Sequence, residues 1–335
     1  MARRLLILIT LVAVLCSCEH KDLCYSHPHT AKMRIDVDWS QFNQYEVPTG
    51  MTVMVFPQEG GAPITQLSNT TTHVYVNLSE GYYNSIAFNQ SVTEFGSLQF
   101  RNMNDYETAE VYADTAPTKW YTKASERVAA EPEWFGADKF EMAHVTPEMI
   151  EERAQLYGAQ HKGNTEYVIG KHTPQNVIYT VKVQVNINGI HNLRSARGAI
   201  EGMSEGYNFS KEGPLKTTVT HLAEEWSLKT DTSNPMQGYI TTALQTFGLP
   251  SGHKGTPESN TFTLSLLLAD NKTQLDYSFE VGNLWVKSPD EELTLLLNLT
   301  IPDALPDVKP EGGSSGGFDA TVEDWGEEIE HEILM

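Results

Sequence analysis

Cysteine is scarce in this sequence of 335 residues. The three cysteines, Cys16, Cys18 and Cys24, all lie near the N-terminus, and the rest of the sequence has none. A disulfide framework needs pairs of cysteines distributed along the folded chain. Such a framework is therefore excluded, and we expect burial of apolar side chains to stabilise the fold.

Basic residues and long apolar runs are also in short supply. Lys and Arg total 23 against 44 for Asp and Glu, which gives a formal net charge of −21. Since nucleic-acid binding requires a basic surface, this composition excludes a nucleic-acid partner. The apolar stretch at residues 5–15 is too short for a membrane-spanning helix, which needs roughly 20 such residues.

Motifs for common cofactors are absent: the sequence contains no H-E-x-x-H, P-loop or G-x-G-x-x-G pattern. Cys24, His27 and His29, with His20 nearby, carry metal-binding side chains, but their spacing matches no standard zinc site. We interpret this segment as a tether, and we expect no metal and no cofactor.

One motif of a hydrolase is present. Residues 202–206 match the G-x-S-x-G nucleophile elbow around Ser204. That elbow needs a strand before the serine and a helix after it, and the residues that follow here do not predict a helix. A glycine-rich strand end is the favoured interpretation, and a serine hydrolase at Ser204 remains a weak alternative.

The N-terminus has the pattern of an export signal. Arg3 and Arg4 precede the apolar stretch, which ends in Leu15-Cys16-Ser17-Cys18, a bacterial lipobox pattern. We predict cleavage between Ser17 and Cys18 and lipid attachment to Cys18, which would anchor the protein in the outer membrane. The alternatives are an ordinary secreted protein or a Cys18–Cys24 disulfide.

Alternation of apolar and polar residues dominates the rest of the sequence and predicts strands. The predicted strands span residues 33–39, 52–56, 73–78, 97–101, 107–112, 139–145, 176–187, 196–203, 217–221, 236–242, 261–269, 274–281 and 292–301. Residues 76–89 predict a hairpin with its turn at Glu80-Gly81. One helix is predicted at residues 147–157, capped by Thr146. The fold class is therefore all-β and mainly antiparallel, with one short helix.

The order of these elements predicts two β-sandwich domains. After the signal at residues 1–17 and a lipidated tether at 18–31, we place an N-terminal domain at 32–172 and a C-terminal domain at 173–311. A Gly/Ser linker at 312–317 leads to a strand segment at 318–335. That last strand either docks on its own domain or is presented to a partner by edge addition.

Aromatic residues are plentiful, with six tryptophans and fourteen tyrosines. Sugar-binding sites use such side chains as platforms, but the cores of β-sandwiches use them as well. For a single tryptophan we favour a place in the core. A surface glycan-binding lipoprotein nevertheless remains the alternative function.

Several segments together carry a family resemblance. They are residues 18–24, 27–29, 38–39, 78–89, 131–135, 197–202, 246–248 and 322–325. In these segments the chain resembles an uncharacterised family of Bacteroidales lipoproteins, with a domain of unknown function, that is similar to the fimbrillins and is described as Mfa-like.

The resemblance implies two transthyretin-like β-sandwich domains and a cell-surface role without catalysis, as an anchor, tip or shaft subunit of a fimbria. In fimbrillins a protease removes the first strand, and the C-terminal strand of a neighbouring subunit fills the gap. Carried over, residues 32–39 form the removable strand and residues 322–334 the donor. The residues implied in strand exchange, with Arg34 as the cut site, are Arg34, Ile35, Val37, Trp39, Val322, Trp325, Ile329 and Ile333.

Overall fold

The computed structural model describes residues 29–122, 126–158, 167–250 and 260–310, with the side chains of the helix described as far as Glu152. The first eleven strands are β1 (Ala31–Val37), β2 (Met51–Pro57), β3 (Ile64–Ser68), β4 (His73–Leu78), β5 (Gly81–Asn89), β6 (Leu98–Arg101), β7 (Glu110–Ala113), β8 (Val128–Ala129), β9 (Gly136–Val145), β10 (Val168–His172) and β11 (Gln175–Asn176).

Among the described residues there is one α-helix, α1 (Pro147–Gly158), which lies between β9 and β10. A 3₁₀ turn at Ile190–Asn192 lies between β12 and β13. The later strands are β12 (Tyr179–Asn188), β13 (Leu193–Ser204), β14 (Gly206–Asn208), β15 (Gly213–Pro214), β16 (Thr218–Ala223), β17 (Ser227–Thr230), β18 (Gln237–Thr246), β19 (Thr261–Leu268), β20 (Gln274–Glu280), β21 (Val286–Lys287) and β22 (Thr294–Thr300).

These strands form five sheets. Sheet A has the order β10-β1-β4, sheet B β11-β9-β5-β2-β3, sheet C β15-β14-β7-β6, sheet D β20-β19-β13-β16-β8, and sheet E β17-β18-β12-β22-β21. In the described part of the chain only the pairs β1–β10, β12–β22 and β8–β16 are parallel. The expected all-β, mainly antiparallel class with one short helix is confirmed.

Three large apolar clusters lie between the sheets, and a fourth, small one contains Tyr121, Val128 and Ala199. The first lies between sheets A and B, the second between sheets B and C, and the third between sheets D and E. Strand β12 illustrates how the sequence directs this packing, because Val181, Val183, Val185 and Ile187 alternate with polar residues and are all buried in the third cluster. The buried face of β12 is therefore the apolar face that alternation in the sequence predicts.

Sheet B is covered on both faces, and the sequence of β2 reflects this. Every residue from Met51 to Phe56 is buried, including those on alternate faces. Val53 and Val55 pack toward sheet A, whereas Met54 and Phe56 pack toward sheet C. A strand in a middle layer needs apolar side chains on both sides, so its sequence loses the strict alternation of a half-exposed strand.

Sheet C joins the two halves of the chain. Strands β6 and β7 precede residue 172, whereas β14 and β15 follow it, and β7 pairs with β14. Strand β8 likewise adds to sheet D by pairing with β16. The division into domains at residues 172 and 173 stays a prediction, and strands from each side of it contribute to shared sheets.

The predicted hairpin at residues 76–89 is wrong. Strand β4 pairs with β1 in sheet A, whereas β5 pairs with β2 and β9 in sheet B. The turn at Glu80-Gly81 therefore carries the chain from one sheet to the other. Gly81 has a φ of +147°, a conformation that favours glycine.

Helix α1 begins as predicted. The amide of Met149 donates a hydrogen bond to Thr146 Oγ1 at 3.5 Å, which caps the helix. Hydrogen bonds from the Thr146 side chain and from its own amide lower the pKa of Glu148. Among the described residues, no helix is long and apolar enough to span a bilayer.

Three tryptophans occupy the core, as favoured from the sequence. Trp39, Trp226 and Trp285 are each less than a tenth exposed. Trp120 and Trp134 are half-buried, and Trp325 lies outside the described residues.

Candidate strand-exchange site

Strand β1 is the central strand of sheet A. It pairs in parallel with β10 on one side and antiparallel with β4 on the other. Ala31, Met33, Ile35 and Val37 point into the cluster between sheets A and B and are buried. The residues between them are exposed or half-buried, as a half-exposed strand requires.

Removal of β1 would open an apolar groove. Burial of Met33, Ile35 and Val37 contributes roughly 1.5–3 kcal/mol for each side chain. The backbone groups of β4 and β10 that now bond to β1 would lose their partners at the same time. The groove would therefore accept another strand with apolar residues at every second position.

The predicted cut site, Arg34, lies within this paired strand. Its amide donates to the carbonyl of Tyr167 at 2.8 Å, and its Nε donates to Asp36 Oδ1 at 2.6 Å. The register with β10 shifts between Arg34 and Ile35, which marks a bulge. A protease needs an extended, unpaired substrate, so cleavage at Arg34 requires β1 to detach first.

Trp39 fixes the chain just after β1. Its indole Nε1 donates to the carbonyl of Thr71 at 2.8 Å, and its ring meets Phe42 edge-on at 5.8 Å. Both side chains are buried in the cluster between sheets A and B. The predicted removable segment thus has two parts, a paired strand and an aromatic anchor at its end.

The other predicted site residues lie outside the described residues. These are Cys18 before β1, and Val322, Trp325, Ile329 and Ile333 after residue 310. Cys24 and His27, which we interpret as part of a tether, also lie outside the described residues. His29 is described and exposed. Within the described ranges, no cluster of three or more His, Cys, Asp or Glu side chains is arranged to hold a metal ion.

The geometry around Ser204 does not fit a nucleophile elbow. Ser204 is fully buried at the end of β13, and its Oγ lies 2.9 Å from the carbonyls of both Gly206 and Leu215. Strand β14 begins at Gly206, where a hydrolase would have a helix. The motif marks a close approach of strands, because a Cβ on Gly206 would lie 2.1 Å from the carbonyl oxygen of Val111.

A different Ser–His–Asp group, which no sequence motif indicates, lies beside β1. His172 Nε2 is 2.9 Å from Ser85 Oγ, and its Nδ1 is 3.2 Å from Asp138 Oδ2. His172 pairs with Val37 in the register of β10 and β1. The three residues are distant in sequence and form no local motif, so only the fold brings them together.

Burial gives this group a structural role. The side chains of His172 and Ser85 are hidden from solvent, so no substrate can reach the serine. Burial by itself would raise the pKa of Asp138, but hydrogen bonds from His172 and from the amide of Thr173 outweigh it and hold the pKa below its usual value. The group ties β10 to sheet B at one wall of the β1 groove.

Comparison with protein families gives one match. Residues 17–224 match a family described as Domain of unknown function (DUF5119). The chain belongs to the DUF5119 family. The match includes both β1 and the β14 strand of sheet C, and it confirms the expected family with a domain of unknown function. No curated protein matches the chain.

Several solved structures from Bacteroidales are similar to this DUF5119 protein. A candidate adhesin from Bacteroides ovatus ATCC 8483 is similar with a TM-score of 0.53 and 14% identity, over 87% of this chain and 98% of that one. A second candidate adhesin from Bacteroides ovatus has a TM-score of 0.46 and 8% identity, over 81% and 89% of the two chains.

The fimbrial anchor protein Mfa2 from Porphyromonas gingivalis is also similar. Its TM-score is 0.45 and its identity 12%, over 81% of this chain and 90% of that one. The DUF5119 match confirms the expected family, and the first Bacteroides ovatus structure shows a shared fold.

Proposed function

We propose that this protein is a lipid-anchored subunit of a surface fimbria that assembles by exchange of strand β1. The observation that carries the proposal is the place of β1 in sheet A. It is the first described strand, it is paired on both sides, and its apolar face closes the cluster between sheets A and B. Its replacement by an equivalent strand would preserve every one of these contacts.

The donor in this proposal is the C-terminal segment of another copy or of a related subunit. In the sequence Ile329 and Ile333 share one face of a predicted strand, with glutamates at residues 328, 330 and 332 on the other. His331 lies between them on the same face, so two of these three positions are apolar, whereas Met33, Ile35 and Val37 make all three apolar in β1. The Gly/Ser linker at residues 312–317 would give the donor its reach.

Lipid attachment at Cys18 fits the same scheme. Cys18 lies before β1 in the sequence, so a cut at Arg34 would separate the lipid from the folded body. An intact molecule would stay anchored with its groove filled. A cut at Arg34 would release residues 31–34 of β1, and a donor would then displace the remaining residues 35–37 from the groove. The two states correspond to an anchor and to a polymerising subunit.

A structural role without catalysis is supported by two observations. The Ser204 hydroxyl is buried and bonded to backbone carbonyls, and the Ser85 hydroxyl is buried against His172. The Bacteroides ovatus protein with the same fold is itself described as a candidate adhesin.

To test this proposal, the packing of β1 is weakened by substitution in the full-length chain, and the oligomeric state of the protein is measured by light scattering. Ile35→Asp places a charge in the apolar cluster, where it would loosen β1. We expect the native protein to be monomeric, the Ile35→Asp protein to form oligomers, and removal of residues 318–335 from that variant to restore the monomer. The matched control in β1 is Lys32→Glu, which alters an exposed position and should leave the protein monomeric.

Donor variants in the Ile35→Asp background separate strand exchange from aggregation. Ile329→Asp with Ile333→Asp should abolish the oligomers, whereas Glu330→Gln with Glu332→Gln on the opposite face should retain them. Oligomers that persist without residues 318–335 would overturn the proposal, and so would a monomeric Ile35→Asp protein.

A further inference from the structure

A polar cleft opens at the end of the space between sheets B and C. Its volume is about 620 Å³, in the range of small-molecule sites. Phe56 and Tyr106 contribute apolar rings 5.7 Å apart, which continue the core between these sheets. Sheet B lines one wall, and the loop between β6 and β7 lines the other. Gly60 and Gly61 border the cleft, and a Cβ on either would meet nothing within 4 Å.

Two carboxamides on the sheet B wall are held in place. Gln58 Nε2 donates to Asn84 Oδ1 at 2.8 Å and contacts Met142 Sδ at 3.0 Å. The amide of Met142 also donates to Asn84 Oδ1 at 3.2 Å, and Met142 adopts a φ of +63°. Asn84 thus uses only its oxygen in these bonds. Within the described part of the chain, its Nδ2 donor and the Oε1 acceptor of Gln58 have no partner.

Carboxylates and a phenol complete the polar lining. The hydroxyl of Tyr106 donates to Glu141 Oε1 at 2.6 Å. Burial and the neighbouring Glu141 raise the pKa of Tyr106, while the hydrogen bond from Tyr106 lowers the pKa of Glu141. Asp105 and Glu107 on the opposite loop add two further carboxylates. Charged oxygens of this kind accept hydrogen bonds from hydroxyl groups.

Lys139, which forms an ion pair with Glu141 of the lining, has further partners. Lys139 Nζ donates to the carbonyl of Ser210 at 2.6 Å and lies 3.3 Å from Glu141 and 3.5 Å from Glu212. It is not among the residues that line the cleft. The lining therefore carries negative charge, which disfavours an anionic ligand.

An aromatic surface extends from the cleft along sheet B. Tyr82 and Asn84 are two residues apart on β5 and so share one face of the sheet. The Tyr82 ring stacks on His144 with centroids 4.2 Å apart and planes 9° apart, yet 42% of Tyr82 remains exposed. The stacking holds an aromatic ring in a fixed orientation next to the free carboxamide groups.

We propose that this cleft and the Tyr82 ring bind a neutral saccharide. Sugar hydroxyls both donate and accept hydrogen bonds, which suits a lining that combines carboxylates with the free donor of Asn84 and acceptor of Gln58. The apolar face of a pyranose ring fits against an exposed, oriented aromatic ring. The proposal does not depend on strand exchange, because neither Asn84 nor Tyr82 belongs to the β1 groove.

The test measures binding of defined hexasaccharides to the full-length protein by calorimetry and saturation-transfer NMR. The neutral probes are maltohexaose, cellohexaose, xylohexaose and mannohexaose, and the anionic probe is hexagalacturonate. We expect at least one neutral probe to bind and the anionic probe to fail. Tyr82→Ala should weaken binding about tenfold, whereas Tyr82→Phe should retain it because the ring is kept.

Asn84→Asp provides a second variant that preserves the fold. An aspartate can still accept the bonds from Gln58 and Met142 but lacks the Nδ2 donor, so we expect about tenfold weaker binding. Leu67→Ala is the control, since Leu67 is exposed on β3 of the same sheet and should not affect binding. The proposal is overturned if no neutral probe binds, if hexagalacturonate binds more tightly, or if Tyr82→Ala and Asn84→Asp both bind like the native protein.

Discussion

His172 and Ser85 meet in a buried contact between sheets A and B, with Nε2 and Oγ 2.9 Å apart. His172 belongs to β10, which forms one wall of the β1 groove, and Ser85 belongs to β5 of sheet B. The contact therefore connects the wall of the groove to the sheet beneath it. Since a buried polar group without a partner is costly, both side chains depend on each other.

Loss of this contact should destabilise the fold. We expect Ser85→Ala to lower the free energy of unfolding by about 1–3 kcal/mol, because the imidazole would lose a buried partner. Ser278→Ala is a suitable control, since Ser278 is exposed on β20, and it should change stability by no more than about 0.5 kcal/mol. Urea denaturation of the two variants would test this, and equal stabilities would contradict it.

A second buried histidine predicts a pH dependence. Burial, aided by the charge of Arg127, lowers the pKa of His221 to about 3. The unfolded chain binds a proton at His221 below a pH of about 6.5, whereas the folded protein does not until the pH approaches 3. This residue therefore lowers stability as the pH falls through that window, by up to about 1.4 kcal/mol per pH unit.

Replacement of His221 should reduce this loss. On going from pH 7 to pH 5, we expect the His221→Leu variant to gain about 2 kcal/mol of unfolding free energy relative to the native protein. Ile200→Val is the control, because Ile200 pairs with His221 in the sheet but does not titrate. Its stability difference from the native protein should be the same at both pH values. Parallel pH profiles for His221→Leu and the native protein would refute this prediction.

Two glycines near Ser204 provide a matched pair of variants. A Cβ on Gly206 would lie 2.1 Å from the carbonyl oxygen of Val111 and 2.7 Å from the Cα of Tyr112, both backbone atoms. A Cβ on Gly213 would meet only the Lys211 carbonyl oxygen, at 3.7 Å. We expect Gly206→Ala to cost about 3 kcal/mol of stability and Gly213→Ala about 0.5 kcal/mol or less, as measured by denaturation. Similar values for both would show that β7 and β14 are not closely packed.

Lipid attachment predicts a specific labelling result. In cells supplied with a palmitate analogue, Cys18→Ala should lose the label and leave the membrane fraction. Cys24→Ala should keep both, because only the cysteine at the new N-terminus takes the lipid. Full labelling of the Cys18→Ala protein would contradict the lipobox interpretation.

Strands with one solvent-exposed face were predictable from the sequence, but the strands with which they pair were not. Alternation placed β1, β12 and β19 close to their observed bounds, because each has a buried and a more exposed face. It does not encode which sheet a strand joins, and the predicted hairpin of β4 and β5 failed for that reason. Strands of two residues, such as β8 and β21, are too short to show a period, and the sequence did not predict them.

The same limit applies to the candidate sites. The apolar face of β1 was evident from Ile35 and Val37, but its central place in sheet A depends on β10, which was not predicted. The polar contacts of His172 and of Asn84 join residues far apart in the chain, and no local spacing indicates them. Ser204 shows the converse, a local motif without the geometry that its chemistry requires.

The most direct test of strand exchange is a photo-crosslink from β4 in protein assembled on cells. Asn77 is exposed and pairs with Lys32 of β1, so benzoylphenylalanine in place of Asn77 would react with whichever strand occupies the groove. Mass spectrometry of the crosslinked peptides would identify that strand. We predict crosslinks to residues 318–335 of a second subunit. Crosslinks confined to Ala31–Val37 of the same chain would contradict the account.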